Sequence, residues 1–261
     1  MRKYLRVWKQ LVILAFGSYI SNRMEYGSYF LGKIVRFGFF LLMIVAIFSH
    51  TQNIVGYSKY QVIIFFLTAF FMDSLGQAFF RGIYLFRQDV QRANFDYVLV
   101  KPVNPLFLTL TRMTDLLDIT LLAPLIVLIA YSLSKLGVLG NPAAVLGYLL
   151  FVAIGFVIVA SLHIISAALT VWTMESEVFI WFYRTATFAA LFPPEIFSHP
   201  IQLLFTFIIP IVIIVAVPAK AVLGMLTLKM VLIAFAVAFV FLFGSLLLWK
   251  ASLKQYSSAS S

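Results

Sequence analysis

Five stretches of the chain, residues 31–49, 60–80, 116–133, 144–172 and 229–249, are apolar over the length that a helix needs to cross a bilayer. Hydrocarbon offers no partner to a backbone N–H or C=O, so a lipid-embedded run of this kind has to close its hydrogen bonds within itself, as a helix. The remainder leaves little room for anything else: 63% of the 261 residues are hydrophobic and only 11% are charged. A separate soluble catalytic domain does not fit, and any chemistry that needs one has to come from a partner.

Between residues 177 and 224 the hydrophobicity stays high, but Pro193, Pro194, Pro200, Pro210 and Pro218 divide it. An unbroken helix cannot absorb that many missing donors. One span over 178–192 is expected, followed by a re-entrant, broken-helix segment over 193–224 that contains Pro193, Pro194, Glu195, Pro210 and Pro218. The fold class expected is an all-α polytopic membrane protein with six transmembrane helices, forming a single domain over 1–261. Glu175 and Glu177 are expected to mark a short turn before the fifth span.

With six crossings, fifteen of the lysines and arginines fall on one side and four (Lys59, Lys135, Lys220 and Lys229) on the other. The positive-inside rule then puts both termini in the cytoplasm. The same bias, with the anionic inner leaflet, accounts for the net charge of +10, so membrane lipids rather than nucleic acid are the expected partner. Arg2, Arg6 and Lys9 share one helical face while Leu5, Trp8, Val12 and Ala15 share another. That pattern suits an interfacial elbow over 1–30 leading into the first span. Cysteine is absent, which excludes a disulfide framework and a cysteine nucleophile.

The interval 81–115 is the one long polar stretch, with its own apolar pattern and paired prolines. A mere connector would be shorter, so this segment is expected to contact something on the cytoplasmic side. Within the spans, Asp73, Gln77 and Arg81 follow one another at i+4 steps. Asp73 reads either as a proton or cation site or as a structural ion pair with Arg81, Arg112 or a basic residue of a partner; a single acid favours the pair. Asp118, near the start of the third span, makes no convincing relay with it; Asp115 and Asp118 are expected to pair with Arg112 or cap their helix. His163, among Ser161, Ser166, Ala167 and Thr170, reads as helix packing, since it lacks the second ligand of a metal site. No phosphate-binding glycine loop, paired-histidine zinc motif or serine elbow is present, so no catalytic residue and no bound cofactor are expected.

The run Asn94-Phe95-Asp96-Tyr97-Val98-Leu99-Val100-Lys101-Pro102-Val103-Asn104-Pro105-Leu106 resembles the phenylalanine-aspartate, leucine, basic-proline, asparagine-proline-leucine signature of a six-span branch of ABC-2 type permeases. Phe192-Pro193, Pro200, Phe207-Ile208-Ile209-Pro210, Pro218-Ala219 and Leu223-Gly224 are similar to its second signature, in the expected order. The glycine usual before the phenylalanine-aspartate pair is replaced here by Ala93-Asn94, which bears on the local turn.

The resemblance implies the permease subunit of an ATP-binding-cassette exporter in a bacterial plasma membrane. Two permeases, homologous or identical, would form the pathway, and two copies of a cytosolic ATPase, which bind ATP and Mg, would dock beneath. It implies a coupling helix in 81–115, with Asp89, Arg92, Phe95, Asp96, Leu99, Lys101 and Pro102 near the ATPase groove. On that reading Phe95 and Leu99 anchor at i+4, Arg92 and Asp96 orient the helix, and Lys101-Pro102 stops it. The re-entrant segment with Glu195 would cap the extracytoplasmic end. Two other classes stand beside this one. An ion- or proton-coupled secondary transporter would need several mid-membrane acids or repeated broken helices. A non-transporting scaffold would use Phe95 and Asp96 to bind a partner without a pathway.

Overall fold

The computed structural model describes residues 2–173 and 177–256; Glu175 and the Ser257 to Ser261 tail lie outside them. Every regular element described is helical. The order is α1 (Arg2–Ser21), α2 (Arg23–His50), α3 (Lys59–Phe80), α4 (Ile83–Gln91), α5 (Asn94–Leu99), α6 (Pro105–Thr111), α7 (Leu116–Lys135) and α8 (Pro142–Thr173). There follow α9 (Glu177–Thr187), which runs on as a 3-10 turn (Phe188–Leu191), a second 3-10 turn (Pro194–Ile196), α10 (His199–Phe207), a π-helical turn (Val212–Ala216) that leads into α11 (Val217–Val222), and α12 (Leu228–Gln255).

The helices begin where polar caps end the preceding loop. Ser58 starts α3 through a capping box in which its N–H donates to Gln61 Oε1 at 2.8 Å. Asn141 Oδ1 accepts from the first turn of α8, Thr227 Oγ1 accepts from Met230 at the head of α12, and the Asp115 carboxylate caps α7. The run beyond each cap is too apolar for water, so it ends only at the next polar group.

Among the described residues, five helices, α2, α3, α7, α8 and α12, are long and apolar enough to cross a membrane. Val178–Leu191, where the fifth span is expected, is a shorter apolar helix, about 21 Å long at the helical rise and short of the hydrocarbon thickness. Behind it lie His199–Phe207 and Val212–Val222, bent by 84° across Pro210; by length and composition the pair is either one broken span, which brings the five long crossings to six, or a re-entrant loop. Proline and the π-turn interrupt the backbone ladder there, and burial of Ile211 to Val222 among neighbouring helices makes the break tolerable.

α3 is the central helix, buried on nearly every side between α2, α7, α8 and the re-entrant helices. The α8 crossing with the π-turn is close: a Cβ on Gly155 would lie 3.0 Å from the Ile214 carbonyl oxygen and 3.2 Å from Met72 Cε. Small residues at such crossings let helix backbones approach where lipid gives no hydrophobic drive. α2 packs on the bundle through one edge and leaves most of its surface outward. Residues 81–115 and α1 gather at one end of the bundle; α10 and the 50–58 loop lie at the other, where burial and then the neighbouring Glu195 raise the Tyr57 phenol.

Candidate functional site

The interval 81–115 folds as three short helices with a core of its own. Phe86, Val90, Phe95 and Val98 pack with Leu110 and with Trp249 of α12. Phe95 is fully buried, its ring 4.9 Å from that of Phe86, 5.1 Å from Tyr256 and 6.2 Å from Trp249. Asp96 accepts a hydrogen bond from Tyr256 Oη at 2.9 Å, and the phenol is pushed up to about 12 by partial burial and then by this carboxylate. Asp89 is buried and bound to Arg112.

The continuous coupling helix expected through 89–99 is therefore two helices. The chain breaks at Ala93, whose φ of +56° lies in the left-handed region, where a Cβ meets the backbone. Arg92 and Asp96 do not share a helical face as expected, because the break lies between them. Phe95 does not project either: the kink turns it inward onto α12, where it buries more apolar surface than it would outside. Arg92, Tyr97, Leu99, Val100, Lys101 and Pro102 face outward, and the helix ends before Lys101-Pro102 as expected. Asn104 Oδ1 accepts from Leu106 N at 2.9 Å and starts α6 with Pro105 in its first turn. Ala93→Gly is expected to raise stability by about 0.5–1 kcal/mol, since glycine takes this conformation without strain. Thermal unfolding in detergent measures it; a lowered midpoint would count against the turn.

Beside this segment, polar side chains from α1, α2, α3, α7 and α9 meet, some within the spans and others, Arg81 and Asp115 among them, just outside their ends. Asp73 is held bidentately by Arg184 of α9, Nε to Oδ1 at 2.9 Å and Nη2 to Oδ2 at 3.0 Å, with Arg36 of α2 at 3.5 Å. The expected pairing of Asp73 with Arg81 or Arg112 is thus replaced by one with Arg184, because α9 packs across α3 at this level and neither of the other arginines does. Arg81 turns to Asp115, which also meets Lys33 at 3.2 Å and accepts from Tyr19 Oη at 2.8 Å. Burial opposes the charge on Asp115, but Arg81 and Lys33 hold its carboxyl below the usual range. Asp118 is bound by Lys33. Neither aspartate pairs with Arg112 as expected, since Arg112 is turned to Asp89; the capping expected of Asp115 is present. Gln77 is buried, its Oε1 without a hydrogen-bond partner.

His163 is fully buried in α8, with Nδ1 2.7 Å from the Val159 carbonyl oxygen and its ring against Phe80 and Tyr183. At the far end, Pro193 and Pro194 start the 3-10 turn that carries Glu195, which pairs with buried Lys220 of α11. Pro210 sits at the bend and Pro218 in the first turn of α11. A cavity of about 470 Å³ opens there between α10, α11 and α12.

Lys33, Arg36, Arg184 and Lys220 were not singled out from the sequence. The available signal was that each lies inside an apolar stretch, where a cation is expensive and calls for an acid.

An all-helical bundle of this kind, with broken helices at one end and a folded polar segment at the other, is the architecture of a multi-pass membrane permease. The chain belongs to the ABC-2 family of transporter proteins, whose family model matches residues 34–260. No curated protein and no solved structure matches it. It is a multi-pass membrane protein of the ATP-binding-cassette transporter class.

Proposed function

We propose that the chain is one of two permeases in an ATP-driven exporter of a bacterial plasma membrane, with both termini and residues 81–115 in the cytoplasm. Two copies of a separate ATPase bind ATP and Mg and act on this chain through α5. The re-entrant segment then caps the extracytoplasmic end, and the second permease, identical or homologous, completes the pathway. The family and the fifteen-to-four distribution of basic residues support this reading.

The observation that carries the docking site is that Tyr97, Leu99 and Val100 are exposed in a segment whose other large apolar residues are buried or half-buried. Tyr97 is 70% exposed and Val100 81%. Large apolar side chains beside the charged rim of Arg92 and Lys101 form the kind of anchor that a protein groove accepts. Phe95 and Asp96 act from behind, tying the surface to α12 through Trp249 and Tyr256, so a push on α5 reaches α12 as a rigid-body displacement. The reading as a proton-coupled carrier gains nothing from Asp73, whose two oxygens are engaged by Arg184.

The test is co-purification of a co-expressed cassette ATPase. Tyr97→Ala with Val100→Ala should lower the ATPase recovered by about tenfold or more, with the permease still inserted, as for loss of two interface anchors. Unchanged recovery would remove α5 from the docking surface.

A further inference from the structure

The first crossing carries two cations, Lys33 and Arg36, in an apolar stretch where an unmatched charge is costly. Lys33 is consumed by Asp115 and Asp118. Arg36 is not. Among the described residues its carboxylate partner is Asp73, whose oxygens are taken by Arg184 and which comes no nearer to Arg36 than 3.5 Å. Among the described residues of the cluster, Lys33, Arg36, Arg81 and Arg184 face Asp73, Asp115 and Asp118, four cations against three carboxylates. One positive charge is left over, and it falls on Arg36.

The guanidinium is placed to use it. The ring centres of Phe70 and Phe188 lie 5.8 and 5.5 Å from its carbon, within cation–π range. Its donors lie along the edges, and Nε is shut away without a hydrogen-bond partner. The side chain is nevertheless 38% exposed. It opens onto a groove of about 270 Å³ between α2, α3 and α7, lined mainly by apolar side chains such as Ile34, Phe37, Phe70, Leu121 and Leu125, with Ser74 and the mutually paired Lys33 and Asp118 also in its lining. Arg36 lies five residues into the apolar window that starts at 31, about 8 Å along the helix and within an arginine's reach of the headgroup level.

We propose that this groove binds an anionic glycerophospholipid, its phosphate paired to the free edge of Arg36 and an acyl chain lying along the groove. Charge and wall chemistry together select that occupant. The surplus cation asks for an anion, a phosphodiester offers the paired oxygens that a guanidinium fork fits, and the walls ask for hydrocarbon. A soluble anion would satisfy only the first demand. The site does not depend on how the permease is powered.

Native mass spectrometry of the purified full-length chain, titrated with phosphatidylglycerol or phosphatidylcholine, tests it. The expected result is one phosphatidylglycerol retained per chain, at concentrations where phosphatidylcholine is lost. Arg36→Gln leaves the Asp73–Arg184 pair in place and should weaken retention by about tenfold, the loss of one charge-assisted contact. Leu121→Trp fills the groove without touching a charge and should weaken both lipids, with the melting midpoint as the control for folding. Retention unchanged in both variants would overturn the proposal, as would equal retention of phosphatidylcholine. Dimerisation through α2 with no lipid retained would overturn it in favour of a second copy.

Discussion

Arg184→Leu should destabilise the protein by about 3 kcal/mol, and Arg184→Leu combined with Asp73→Leu should recover most of that loss. The single substitution strands a carboxylate inside the helical bundle, and breaking a buried pair from one side costs about 3–5 kcal/mol. The lower end is expected because Arg36, already 3.5 Å from Asp73, can take over part of the pairing. The double variant replaces two desolvated charges with apolar contacts, an exchange that is often neutral or better. Unfolding midpoints of the wild type, both single variants and the double variant in detergent form the test cycle. If the effects of the two single substitutions simply add, Asp73 and Arg184 are not a pair. Arg184 reaches Asp73 across 111 positions of sequence, and it also touches Tyr84 at 3.3 Å. Loss of the pair should therefore loosen α4 together with α9, which increased proteolysis within 81–115 would reveal.

Gly82→Ala is the second large effect. Gly82 joins α3 to α4, and its N–H donates to the Leu110 carbonyl of α6 at 3.1 Å. A Cβ there would stand 2.4 Å from the Thr109 carbonyl oxygen and 2.7 Å from that of Leu110. Both are backbone atoms, so no rotamer change relieves the overlap, and α6 has to move away. Overpacking of this kind costs about 1–3 kcal/mol and sometimes more; the upper end is expected here because the junction hydrogen bond goes with it. Gly147→Ala is the control, since its added methyl would meet nothing nearer than Ala221 Cβ at 3.9 Å. That change should be neutral or slightly stabilising, because alanine is the better helix former. A Gly82→Ala protein with a wild-type melting midpoint and an intact, protease-resistant 81–115 segment would refute the close approach. With α5 as the docking element, the same variant should also lose its ATPase, since α5 would no longer be held on Trp249 and Tyr256.

These predictions rest on contacts of two kinds, and only one kind was legible in the sequence. The spans over 60–80, 116–133 and 144–172 match α3, α7 and α8 to within two residues at each end. A bilayer reads composition locally: whether a stretch can sit in hydrocarbon depends on its own side chains. The break in the re-entrant segment was legible for the same reason, because each proline removes a donor from its own turn. The short fifth helix was also visible, as the one apolar run closed early by Pro193 and Pro194.

The left-handed residue at Ala93 was not legible from the local spacing; its one trace was the family's usual glycine replaced here by Ala93-Asn94. Helical spacing read through 89–99 without interruption, and alanine is the last residue whose local preference would signal such a turn. The contacts that hold the turn are distant: Phe95 reaches its minimum exposure only by folding back onto Trp249 and Tyr256, more than a hundred and fifty positions along the chain. The partners of Asp73 obey the same logic. Sequence spacing offered Arg81 two turns away on the same face, yet the bundle brought Arg184 closer in space and left Arg81 for Asp115.

By itself, then, the sequence determined that this chain is a helical membrane protein, where its long spans lie, where proline breaks its backbone, and through its signatures which family it joins. Each of these depends on side chains within a few turns of one another. Only the tertiary structure decided which way Phe95 faces, which cation answers each aspartate, and that Arg36 is left with charge to spare. Those outcomes are set by competition among groups far apart in the chain, and inside a bundle poor in water the nearest partner wins because desolvated charge cannot wait for solvent.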